Sequence, residues 1–325
     1  MKVGVIGTGS MGEKHVRAYS ALSNYCHLIG VYDNNKTRAK EISNKYEVTL
    51  FESITELLQV VDIVSIVVPT EYHYEIGLLC IKYNVHMLIE KPITNNVNEA
   101  NELIQKAKEK GLKIQVGHIE LYNPLINILK HMLVNEKVIA FDVHRMSPYD
   151  QRLETVDVVQ DLMIHDIYIL KELATSEISN LCALGQIINN TPKHASAIIK
   201  FRDGSVAHLT ASFKSVKKIR TIRVFTEKSI ISANLLNGHI EVIKTFEGYK
   251  DFQNNNADIK RIETIEVPYI DSLKLQLGDF INSVKNDTPL TVKGEDGVNA
   301  LAICNRISSY IKESEKSLEN KNSKQ

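Results

Sequence analysis

The sequence predicts an α/β protein of two domains: a doubly wound parallel sheet first, then an α+β domain with a large open, mostly antiparallel sheet. Three observations carry this. Short β-branched and aliphatic runs alternate with helical stretches through the first 118 residues, as in a parallel sheet covered on both faces. After residue 118 the alternation gives way to strands of alternating polarity with few helices between them, the habit of antiparallel sheet. The length, 325 residues, exceeds what one hydrophobic core usually supports.

Taken in order, strands are expected at 3–6, 27–32, 63–67, 86–89 and 113–116, and helical spacing runs through 11–22, 36–45, 54–58, 72–83 and 97–110. A helix over 124–133 precedes a strand at 138–144, a loop, and a helix over 158–174. Strands then dominate to about residue 267, for example 195–201, 206–213 and 219–225, with Arg202-Asp203-Gly204 as a hairpin turn between the first two. Helices return at 272–285 and 297–312, and 313–325 is polar enough to be expected as a flexible tail.

Composition narrows the function. Lys+Arg and Asp+Glu balance at 39 each, so no net field holds nucleic acid or an anionic membrane surface, and the expected partner is a small molecule. The longest apolar stretch, 60–68, is interrupted by Asp62 and Ser65 and is shorter than the ~20 residues that span a bilayer. Gly7, Gly9 and Gly12 fall where a signal peptide would continue its apolar core. Cys26, Cys80, Cys182 and Cys304 form no C-x-x-C pair and read as free buried thiols of a cytoplasmic protein. No Cys/His cluster has zinc spacing, and no metal is expected.

Gly7-Thr8-Gly9-Ser10-Met11-Gly12 follows a predicted strand and opens a predicted helix, the context that makes G-x-G-x-x-G a dinucleotide-binding Rossmann signature. Its exposed N–H groups and the helix dipole favour a pyrophosphate. Asp33 ends the second strand, where a carboxylate accepts hydrogen bonds from the adenosine ribose and repels a 2′-phosphate. NAD is therefore preferred over NADP, with Lys36 and Arg38 nearby tempering the preference. Glu90-Lys91-Pro92 sits at the carboxyl end of the expected strand 86–89, on the ligand-binding edge of such a sheet. Asp161 and His165 lie four apart on an expected helix, so they share a face, and a histidine oriented by a carboxylate suits proton transfer near neutral pH.

Together these motifs resemble the Gfo/Idh/MocA oxidoreductase family over nearly the whole chain: the glycine loop, Val67-Val68-Pro69-Thr70 with His73, Glu90-Lys91-Pro92, Gly117-His118, and Asp161 through His165-Asp166. The resemblance implies a catalytic set of Lys91, Asp161 and His165, places Pro69, Thr70, His73, Glu90 and Lys91 beside the cofactor, and makes the peptide before Pro92 a candidate cis bond. It divides the chain into an NAD-binding domain at 1–118, a substrate-binding and oligomerisation domain at 119–312, and the tail.

Within the family the chain is similar to the UDP-N-acetylglucosamine 3-dehydrogenase branch, through Gly117-His118-Ile119-Glu120, Asn123-Pro124, His144-Arg145-Met146-Ser147-Pro148, Asp157-Val158-Val159 and Lys217-Lys218-Ile219-Arg220. Two positions depart from it: Leu121 stands where arginine is frequent, and Tyr168 where an aspartate is expected. This likeness implies a sugar or nucleotide-sugar substrate met by Lys91, His118, Tyr122, Asn123, Arg145, Asp161 and His165, with Arg152, Lys217 and Lys218 as further candidates for its phosphates. The implied reaction passes hydride from a secondary hydroxyl to nicotinamide. Either Lys91 or His165 is the formal base. An inositol or free-sugar dehydrogenase and a non-catalytic NAD-sensing regulator are the alternatives, and a homodimer or homotetramer is expected because an open sheet exposes one apolar face.

Overall fold

The computed structural model describes residues 1–250 and 256–322. In chain order the strands are β1 (Lys2–Ile6), β2 (His27–Tyr32), β3 (Thr49–Leu50), β4 (Ile63–Ile66), β5 (His86–Ile89), β6 (Ile114–Val116), β7 (Val138–Met146), β8 (Ile178–Ile188), β9 (Thr191–Phe201), β10 (Val206–Ser212), β11 (Ile219–Thr226), β12 (Ser229–Asn234), β13 (His239–Lys250) and β14 (Asn256–Glu266). The helices are α1 (Ser10–Ser20), α2 (Lys36–Tyr46), α3 (Ile54–Leu58), α4 (His73–Lys82), α5 (Val97–Glu109), α6 (Pro124–Met132), α7 (Ile164–Leu173), α8 (Ser272–Lys285) and α9 (Gly294–Asn322).

Two compact units result, one of residues 1–122 and 271–302, the other of 123–270 and 303–325. The first holds a six-stranded sheet of order β3-β2-β1-β4-β5-β6, parallel throughout. Neighbouring residues of one strand feed opposite cores, as period-two side chains must. Val5 and Ile63 join a core with Val16 and Tyr19 of α1 and Leu277 and Phe280 of α8. Ile6 and Val64 join another with Leu57 of α3, Cys80 of α4 and Leu103 of α5. That two-sided burial is why these strands read as unbroken apolar runs. Leu273, Leu277, Phe280 and Ile281 of α8 pack into that first core, so 271–302 lies in the first compact unit. β3, only two residues long, left no periodic signal.

The second unit holds an eight-stranded sheet of order β14-β13-β12-β11-β7-β10-β9-β8. Its described neighbours are antiparallel except β7 with β10. On its inner face Phe141, Val143, Ala197, Ala207, Leu209 and Ala211 are buried, and a π-helical turn (Val159–Met163) approaches β7 and β10. The helix expected over 158–174 is thus that π-helical turn followed by α7. The outer face leaves Leu184, Ile198, Ile230 and Ile262 exposed.

Two expectations are corrected. Cys182 is exposed, because its neighbours Leu181 and Ala183 take the inward positions of β8. Most of the expected tail is helix, since α9 runs to Asn322; residues 323–325 lie outside the described residues. Among the described residues no helix is long and apolar enough to cross a membrane.

Candidate active site

In the first unit the motif residues follow the carboxyl ends of parallel strands. Gly7 follows β1, Asp33 follows β2, Pro69 and Thr70 come shortly after β4, Glu90 and Lys91 follow β5, and Gly117-His118 follows β6. Strand order reverses between β1 and β4, the switch point at which doubly wound sheets bind ligands.

The glycine loop is shaped by contact. Gly7 has φ +97°, and a Cβ there would lie 2.3 Å from the Val67 carbonyl oxygen. A Cβ on Gly12 would lie 2.0 Å from the Gly7 carbonyl oxygen, so neither position accepts a side chain. Gly9, the N-cap of α1, faces open space, with exposed Ser10 and half-buried Met11 beside it. Asp33 braces this loop: Oδ2 accepts from the Thr8 amide at 2.6 Å and its hydroxyl at 2.9 Å, and Oδ1 accepts from the Asn35 amide at 2.8 Å. The neighbouring cations are engaged internally. Arg38 donates to the Thr8 carbonyl at 3.1 Å and pairs with Glu13 and Glu41, and Lys36 pairs with Glu52 at 3.1 Å. An open Gly9 at a helix N-terminus beside an acceptor-only carboxylate fits the pyrophosphate and ribose of a dinucleotide.

Behind Lys91 lies a polar chain that sequence reading missed. Glu90 Oε1 is 3.0 Å from His15 Nε2, His15 Nδ1 is 3.1 Å from Ser65 Oγ, and Ser65 Oγ is 2.8 Å from the Tyr19 hydroxyl. His15, Ser65 and Tyr19 have no solvent exposure. Burial pushes the Glu90 carboxyl up, but the His15 hydrogen bond and the charges of His15 and Lys91 outweigh it and hold the group below its ordinary value. An ionised Glu90 only accepts, so Nε2–H donates to it. Ser65 Oγ bridges Nδ1 of that ring and the hydroxyl of Tyr19, whose phenol burial keeps protonated. Glu90 Oε2 in turn accepts from the Lys91 amide at 3.3 Å, ahead of the cis Lys91-Pro92 peptide. A Cβ on Gly117 would sit 2.7 Å from this carboxylate and would have to displace it.

His73, expected beside the cofactor, is buried at the start of α4. Its ring nitrogens lie 2.9 Å from the carbonyl oxygens of Pro92 and Val68, tying the loop after β4 to the loop after β5. Burial, only partly offset by these bonds, lowers its pKa. His118 is fully buried. Tyr122 is buried and donates to Asp279 Oδ2 at 2.7 Å.

Asp161 and His165 belong to the second unit, Asp161 on the π-helical turn and His165 in the first turn of α7. Such turns are frequent at functional sites. The Asp157 side chain accepts from the Val159 amide at 2.8 Å and from Ser308 Oγ at 2.9 Å, fixing where the turn starts. Ahead of it, buried Lys193 donates to the Leu153 and Val156 carbonyls at 2.8 and 2.7 Å and to the Thr191 hydroxyl. His165 Nδ1 lies 2.7 Å from the Tyr168 hydroxyl. Arg145 is 2 % exposed and bonded through Nε to Asp166 Oδ1 at 2.7 Å, an ion pair of the core. Asn123 caps α6, its Oδ1 accepting from the Leu125 amide at 3.1 Å. Of the remaining phosphate candidates, Arg152 pairs with Asp150 at 2.9 Å.

Residues 1–118 match the model of an oxidoreductase family with an NAD-binding Rossmann fold, and 137–316 match that family's C-terminal α/β domain. The chain belongs to the Gfo/Idh/MocA oxidoreductase family. It is 31 % identical over 303 residues, 93 % of this chain and 94 % of the relative, to the UDP-N-acetylglucosamine 3-dehydrogenase of Acidithiobacillus ferrooxidans. A solved structure of the Acidithiobacillus protein superimposes with TM-score 0.86 at 30 % identity, covering 96 % of this chain and 97 % of that one. A myo-inositol 2-dehydrogenase of Thermotoga maritima is 24 % identical over 321 residues, 93 % of this chain and 94 % of the relative. The glycine loop and Glu90-Lys91-Pro92 of this family member are thus parts of an NAD-binding oxidoreductase.

Proposed function

We propose that the chain is an NAD-dependent dehydrogenase that oxidises a secondary hydroxyl of a sugar, the 3-hydroxyl of a UDP-N-acetylhexosamine. The observation that carries the substrate is the 31 % identity, across 93 % of the chain, to a UDP-N-acetylglucosamine 3-dehydrogenase. Gly7, Gly9, Ser10, Met11 and Gly12 hold the pyrophosphate, Asp33 the adenosine ribose, and Pro69, Thr70, His73 and Glu90 support the nicotinamide end. NAD supplies the hydride acceptor. NAD is preferred over NADP because the Asp33 carboxylate repels a 2′-phosphate, while Arg38 and Lys36, which could have attracted one, are paired with Glu13, Glu41 and Glu52.

As hydride leaves the carbinol carbon, the hydroxyl proton must go to a base and the carbon–oxygen bond becomes a carbonyl. His165 takes that proton, Asp161 favours the charged ring, and the Lys91 ammonium stabilises negative charge developing on the oxygen. Hydrogen-bonded Glu90 holds the Lys91 backbone in place. The outer face of the second unit's sheet, with Leu184, Ile198 and Ile262 exposed, supports assembly as a homodimer or homotetramer.

The test is NADH formation from NAD and UDP-N-acetylglucosamine with the keto product trapped. Turnover supports the reading. Activity on inositol or glucose with none on nucleotide sugars under trapping overturns the substrate and leaves the cofactor standing. NAD binding with no turnover of any polyol, sugar or nucleotide sugar favours a regulator.

A further inference from the structure

Tyr168 is one helical turn beyond His165 on α7. Its hydroxyl lies 2.7 Å from His165 Nδ1, and its ring meets the imidazole edge-on, with centroids 5.5 Å apart at 65°. The phenol is 3 % exposed, between buried Ile167 and Ile169, whereas His165 is half-buried. A residue three positions along a helix shares its face, so the contact is built into α7 itself. A phenol held by packing fixes the imidazole about χ1 and χ2 more firmly than a mobile surface partner could. It also turns Nδ1 toward the protein interior.

We propose that Tyr168 is a positioning residue for His165: by engaging Nδ1 it makes Nε2 the ring atom that exchanges a proton with the substrate hydroxyl. The proposal rests on His165 being the base. The balance is then complete. The hydroxyl proton moves to Nε2, hydride moves from the same carbon to the nicotinamide ring, and the substrate leaves as a ketone. Tyr168 neither gains nor loses a proton. A hydroxyl can accept from Nδ1–H or donate to a bare Nδ1, and only the first arrangement leaves Nε2 with a lone pair. The neutral ring therefore carries its hydrogen on Nδ1, with the Tyr168 oxygen as acceptor.

Two measurements test this with the full chain. Nitrogen NMR of the histidine rings should show His165 as the Nδ1–H tautomer in the parent protein and as a mixture in Tyr168→Phe, which keeps the ring and removes only the oxygen. In NADH formation from UDP-N-acetylglucosamine, Tyr168→Phe should lower kcat by about 10- to 100-fold, the scale of a mispositioned reacting group, with KM and NAD affinity unchanged. A parent His165 protonated at Nε2 overturns the proposal, as does a Tyr168→Phe protein with the parent tautomer and the parent kcat. His165→Ala separates the layers. Full turnover in that variant overturns the base assignment and the proposal together, whereas an inactive His165→Ala beside a fully active Tyr168→Phe overturns Tyr168 alone.

Discussion

Replacing Ser65 tests the buried chain behind Lys91 at its centre. Ser65 Oγ stands between His15 Nδ1 at 3.1 Å and the Tyr19 hydroxyl at 2.8 Å, and all three residues are fully buried. Ser65→Ala strands the Tyr19 hydroxyl and the His15 Nδ1 where water has no access. Each stranded group costs about 1–3 kcal/mol, so the variant should lose about 2–6 kcal/mol. Tyr19→Phe in the parent removes one bond and strands nothing charged, costing about 1 kcal/mol. In the Ser65→Ala background the same change removes an already stranded hydroxyl, so its sign should reverse and return about 1 kcal/mol or more. Urea unfolding of the four proteins, followed by both circular dichroism and fluorescence to check for a single transition, measures the cycle. If Tyr19→Phe destabilises both backgrounds equally, the Ser65 and Tyr19 hydroxyls are not bonded to each other.

Other outcomes follow from the same geometry. Asp33→Ala should narrow the gap between NAD and NADP affinity measured by titration calorimetry and should also loosen the glycine loop, since it removes both bonds to Thr8; equal affinities in the parent would show that Asp33 does not face the ribose. His73, whose pKa is lowered first by burial, should make stability fall with acidification. Below about pH 6.5 the unfolded chain binds a proton that the folded ring refuses, so unfolding gains until the pH reaches the lowered folded pKa; the urea midpoint should drop between pH 7.5 and 5.5 by an amount that shrinks in His73→Gln. Lys91→Ala and His165→Ala should each reduce turnover by about 10²- to 10⁴-fold with NAD affinity nearly unchanged, and the double variant should lose much less than the product of the two losses. Purely multiplicative losses would mean that the two residues serve separate steps.

What the sequence determined by itself was local. The parallel strands were legible because two-sided burial demands unbroken apolar runs, as in Val3–Ile6 and Ile63–Ile66. The glycine loop and Glu90-Lys91-Pro92 were legible because contiguous residues leaving a strand end carry their geometry with them. Ser65, in contrast, reads along the chain only as a polar interruption of an apolar run. It becomes a hydrogen-bond junction once strand pairing brings His15, 50 residues earlier, and Tyr19, 46 residues earlier, against it. Folding sets Asp166 beside Arg145 in the core, and Tyr168 reads only as a departure from an expected aspartate until its hydroxyl is seen at His165. α8 joins the first sheet only because that sheet's exposed face must be covered. Residue type says what a side chain can donate, accept or bury, but a buried polar group must find a partner wherever packing supplies one. The partners of Ser65 lie 50 and 46 residues away, so tertiary structure alone decided that its hydroxyl is spent on holding the fold.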